Sequence, residues 1–99
     1  MDIRKGKFYT KKALQIQDFQ ANANKLKAGK FANKLYSGWY KSVLYAGALP
    51  YINVKGITQF RLRFLLDDND DLSADILKLY SGNSVLANRP QLIVKYYVP

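Results

Sequence analysis

Apolar and polar residues alternate most strictly between Gln59 and Leu66. Phe60, Leu62, Phe64 and Leu66 fall on one side, and Gln59, Arg61 and Arg63 on the other. Side chains point to opposite faces along a strand, so this spacing predicts a half-buried β-strand. The same period runs through Trp39 to Tyr45, with Tyr40, Ser42 and Leu44 on one face and Trp39, Lys41 and Val43 on the other. Shorter strands are expected at 2–9, 51–54 and 76–80, and a last one at 91–98 with Leu92, Val94 and Tyr96 inward. The one helical pattern is Phe19 to Lys27, where Phe19, Ala23 and Leu26 are spaced by four and three. Asp18 would cap its start and Gly29 would stop it.

Turn signals separate these segments: Ala46–Pro50, Lys55-Gly56 and Ser81-Gly82-Asn83. Strands do not alternate with helices as they would in a parallel sheet. The pattern therefore predicts an all-β fold. It would be mainly an antiparallel β-sandwich, or a partial, jelly-roll-like one, with one short helix. Ninety-nine residues make a single domain, 1–99.

Composition narrows the chemistry. The chain has no Cys and no His, which excludes Cys/His zinc sites and histidine acid–base catalysis. Eight Tyr suit pleated surfaces, where the ring packs and the hydroxyl stays wet. No apolar run is long enough to span a membrane, and the first residues lack the apolar stretch of a signal peptide.

Charge is unevenly spread. Residues 1–66 hold thirteen Lys/Arg against two Asp, a net of +11, while 67–99 hold three against five, a net of −2. Such a basic surface suits an anionic partner, or simply keeps the chain soluble.

Three stretches also carry a resemblance. They are Thr58 to Asp71, Ala74 to Asn83 and Ala87 to Tyr96. Upstream stand Asp2-Ile-Arg-Lys-Gly6, Ala13 to Ala21 and Ser37-Gly-Trp-Tyr40, in the same order. Together they resemble the C-terminal half of a DNRLRE-type domain, an extracellular β-sandwich similar to a carbohydrate-binding module family. The resemblance implies a non-catalytic polysaccharide-binding or surface-structural module of a secreted or cell-surface protein. It also implies that the chain begins partway through such a domain. A sandwich lacking its N-terminal half would leave apolar surface and strand edges open. Self-association, or pairing with the missing half, is then expected.

Aromatic rings are the natural platform for a sugar, whose C–H faces stack on them while polar neighbours bind its hydroxyls. Trp39, Tyr36, Lys41 and Tyr45 are the candidate contacts. Tyr51 and Tyr97 are further aromatic candidates.

Five of the seven acids crowd into Asp67–Asp75. Asp67, Asn69 and Asp71 have the alternating oxygen ligands that Ca²⁺ accepts. Leu72 and Lys78 stand where the best-known Ca²⁺ loop needs Gly and a bidentate Glu. The first reading of the cluster is therefore a hairpin turn whose carboxylates cap amides or pair with Arg61, Arg63 or Lys78, and a cation site is the second. Glycoside hydrolysis needs two acids flanking a bond, and these acids share one turn. No enzymatic activity is therefore expected. Lys25, Lys27, Lys30 and Lys34 near Phe31 and Tyr36 leave a nucleic-acid binder as an alternative, though no nucleic-acid motif accompanies them. A purely structural module without ligand is the other.

Overall fold

The structure is a computed structural model that describes residues 1–64 and 77–98. The chain divides into two units, Met1–Leu65 and Leu66–Pro99.

The first unit is organised around two strands, β1 (Asp2–Lys5) and β2 (Thr58–Arg61). They pair antiparallel in the register Asp2↔Arg61, Ile3↔Phe60, Arg4↔Gln59 and Lys5↔Thr58. The other edge of β1 is also occupied. Ile3 N–H donates to Lys25 O at 3.0 Å, and Asn24 N–H donates back to Ile3 O at 3.0 Å. Because Ile3 spends its backbone groups on that edge, Ile3↔Phe60 is a non-hydrogen-bonded pair, the kind whose side chains approach most closely. Ile3 is fully buried, with Ala28 and Ala48, and Leu44, Tyr51, Ile52 and Phe60 pack around them.

Gly29 shows how tight that centre is. It bridges to Leu44, and a Cβ there would lie 2.6 Å from Ser42 Oγ. Alanine would not fit without movement of the 42–44 backbone or side chain. Lys27 adopts φ 52, a left-handed conformation that costs a residue bearing a Cβ about 1 kcal/mol. Its amide closes on Asp2 Oδ1 at 3.0 Å.

Short 3-10 helices replace several expected elements. Ile16–Phe19 forms one, and the helix expected over 19–27 does not form. Asp18 sits inside that turn rather than capping a longer helix, and accepts from Gln15 N–H at 2.8 Å. Ala46–Tyr51 forms another, with Pro50 inside it, where a loop and the start of a strand were expected.

The second unit, over its described residues, contains a turn closed by Ser84 N–H to Ser81 O at 3.1 Å. A 3-10 turn follows at Leu86–Asn88, and Arg89 Nε donates to Ser84 O at 2.7 Å.

The antiparallel sandwich is therefore overturned. Among the described residues there are two strands of four residues each, and most of the chain is irregular. Trp39 to Tyr45 forms no strand; its one β-bridge is Gly29↔Leu44, beside the bond from Tyr45 N–H to Ala28 O at 2.9 Å. Residues 91–98 form no strand either. The expected strand at 59–66 is confirmed only over Gln59–Arg61, and part of it lies outside the described residues. The physical reason is that a two-residue period states which face a strand would bury, but supplies no sheet to bury it against. Only four hydrophobic residues of the described chain are buried, too few for two packed sheets.

Candidate functional site

Two local arrangements carry polar or aromatic groups in defined positions. The first grows from the register of β1 and β2. Placing Asp2 opposite Arg61 brings an acid and a guanidinium to one side of the pair. Arg61 Nη2 meets Asp2 Oδ2 at 2.9 Å, and Arg63 Nε reaches the same oxygen at 2.9 Å. Asp2 is fully buried, while Arg61 is 14% and Arg63 37% exposed.

Burial alone would push the Asp2 carboxyl up. The Lys27 amide and the two guanidiniums outweigh it and hold the group below the usual carboxylate range. Arg61 does more than pair. Its Nη1 donates to the carbonyls of Asp18 at 2.9 Å and Ala21 at 2.7 Å. Its guanidinium also stands 4.7 Å from the centre of the Phe8 ring. One side chain thus ties β2 to the 18–21 segment. This is chemistry of cohesion: every Asp2 oxygen is already engaged.

Beside this knot opens a groove of about 500 Å³, walled by Phe8, Leu14, Phe19, Gln59 and Arg61. Asp18 contributes to the wall, and its Oδ1 is buried with no hydrogen-bond partner among the described residues. Gln59 is committed to structure, accepting from Phe8 N–H at 2.8 Å and donating to Lys12 O at 3.3 Å.

The second arrangement is the aromatic turn. Gly38 N–H donates to Leu35 O at 2.9 Å, and Leu35 N–H donates to Trp39 O at 2.7 Å. Gly38 adopts φ +91, which the reversal requires and which glycine accepts without a Cβ penalty. The turn holds Tyr36 fully exposed and Trp39 39% exposed. Lys41 follows, exposed. Tyr45 is half exposed, and its backbone is anchored by donation from its N–H to Ala28 O at 2.9 Å. The four sequence candidates therefore lie on one irregular, solvent-facing stretch. The turn carries both Tyr36 and Trp39. No side-chain hydrogen bond links any of the four to another described residue.

Asp67, Asn69 and Asp71, the candidate Ca²⁺ ligands, lie outside the described residues. Among the described residues no cluster of acids has the composition of a metal site. No helix there is long and apolar enough to cross a membrane.

The Asp2–Arg61–Arg63 knot was not anticipated. Sequence reasoning offered Arg61 and Arg63 the nearby acidic turn as partner. The available signal was Asp2 itself, one of only two acids in the first 66 residues, at the edge of a candidate strand. Comparison of the chain with known protein families, with curated proteins and with solved structures gives no match.

Proposed function

We propose that this chain is a non-catalytic binding module for a polysaccharide, stacked on Tyr36 and Trp39. The observation that supports it is the exposed aromatic pair on a hydrogen-bonded turn. Two large rings held toward water cost free energy unless something covers them. Sugar C–H faces stack on such rings, and the Lys41 ammonium offers donors to neighbouring hydroxyls. The non-catalytic reading is supported by Asp2, whose carboxylate is wholly engaged by Lys27, Arg61 and Arg63. With the DNRLRE-type resemblance, the reading puts the module in a secreted or cell-surface protein. We also read the chain as self-associating, because apolar side chains stand exposed in both units.

The test is retention in affinity gels containing neutral or anionic polysaccharides. Truncating a central contact aromatic costs on the order of 2 kcal/mol, about thirtyfold in affinity. Trp39→Ala and Tyr36→Ala should each abolish retardation while the circular dichroism spectrum stays unchanged. Retention that survives both substitutions overturns the reading. Binding to oligonucleotides that weakens steeply with salt would instead favour a nucleic-acid binder. Silence in both assays would favour a purely structural module.

A further inference from the structure

The groove beside the Asp2 knot holds an acceptor that the fold leaves unused. Asp18 is only 8% exposed, and its two carboxylate oxygens differ. Oδ2 accepts from Gln15 N–H at 2.8 Å, while Oδ1 has no hydrogen-bond partner among the described residues. A buried oxygen left this way costs its lost hydration, and native structures hold few such groups. Every residue of the groove wall lies in the first unit.

The neighbouring polar walls are spent on the fold. Gln59 bonds Phe8 N–H and Lys12 O, and Thr58 Oγ1 accepts from Asn53 N–H. Arg61 holds Asp2 and the Asp18 and Ala21 carbonyls, and Lys12 is exposed to water. The remaining walls are apolar, Phe8, Leu14 and Phe19 among them. A space of about 500 Å³ with aromatic sides and few polar groups is the form of a small-molecule site.

Charge restricts what enters. A cation would meet Arg61 and Lys12 in the same wall, within a stretch, 1–66, of net +11. An anion would be set against the Asp18 carboxylate. A ligand with many hydroxyls would leave most of them against apolar side chains. A neutral ring with a single O–H avoids all three costs.

We propose that this groove binds a neutral phenol-type small molecule, its ring against Phe8 and Phe19 and its hydroxyl donated to Asp18 Oδ1. The site uses no residue of the aromatic turn and goes beyond the polysaccharide reading. Donation to a carboxylate is a strong hydrogen bond, and shielding from water strengthens it further. An analogue without the donor leaves the buried oxygen unpaired and is rejected.

The test uses the full chain and two probes of the same ring, para-fluorophenol and para-fluoroanisole, titrated at neutral pH by fluorine NMR. The phenol should bind at least about tenfold more tightly. Asp18→Asn keeps an oxygen for the Gln15 amide and sets an NH₂ in place of Oδ1. It should remove the phenol's advantage and improve binding of the anisole. Phe19 is 67% exposed, so Phe19→Ala spares the core; it should weaken both probes. Circular dichroism checks that each variant folds. Should Asp18→Asn fail to fold, the ratio of the two probes and Phe19→Ala decide the matter. No binding of either probe overturns this inference and leaves the polysaccharide reading standing. Equal affinity for the two probes, or a phenol preference that survives Asp18→Asn, overturns the bond to Asp18. Binding unchanged by Phe19→Ala overturns the placement in this groove.

Discussion

Asp2 and Arg61 are 59 positions apart, yet they face each other across β1 and β2 and close a 2.9 Å ion pair. Backbone register and side-chain chemistry select the same partner. Arg63 adds a second guanidinium on the same oxygen. Because Asp2 is fully buried, its charge relies on these guanidiniums and on the Lys27 amide.

Removing the acid should therefore be costly. Breaking a buried ion pair from one side leaves an uncompensated charge and costs about 3–5 kcal/mol. Asp2→Asn is expected to lower the unfolding free energy from urea titration by an amount in that range. Arg61→Met should cost more than Arg63→Met, because Arg61 is the more buried and also holds the Asp18 and Ala21 carbonyls. The more exposed Arg63 is screened by water and should contribute about 1 kcal/mol or less. Equal losses at the two arginines would contradict this division of roles.

Acid should unfold the protein through the same residue. The folded-state pKa of Asp2 lies below its unfolded value. The stability it contributes is thus fully present above the usual carboxylate range. It is lost as the pH falls through the lower, folded value. Urea midpoints measured from neutral pH downward should drop in that acid window for the parent chain and much less for Asp2→Asn. Parallel profiles would assign the acid sensitivity to other groups.

Close approach at the core gives a separate test. Gly29→Ala puts a methyl 2.6 Å from Ser42 Oγ and 3.2 Å from the Val43 carbonyl. Overpacking of this kind costs about 1–3 kcal/mol. Ser42 Oγ is itself buried without a hydrogen-bond partner among the described residues. Ser42→Ala should therefore be neutral or stabilising, and should recover part of the Gly29→Ala loss in the double variant. Thermal melts of the four-member cycle measure that coupling. Strict additivity would show that the two positions do not touch.

Reading forward from the residues succeeded where the information was local. The turns at Lys55-Gly56 and Ser81-Gly82-Asn83 follow from neighbouring side chains and appear in the structure. The turn at 35–39 was not legible in this way: a strand was expected to begin at Trp39, and Gly38, at φ +91, reverses the chain there instead. The alternation at Trp39 to Tyr45 misled, because it presumes a second layer. The aliphatic run at 91–98 misled for the same reason.

By itself, the sequence determined the charge division, the absence of Cys and His, and the places where the chain must turn. These are properties of single residues or close neighbours. Only the tertiary structure decided that Asp2 answers Arg61 and Arg63, and that the 24–28 segment takes the second edge of β1. It also decided that Gly29 passes against Ser42. Each of these joins residues distant in the chain, or fixes how closely two segments approach. A pattern of period two carries no record of which distant segment completes the pair.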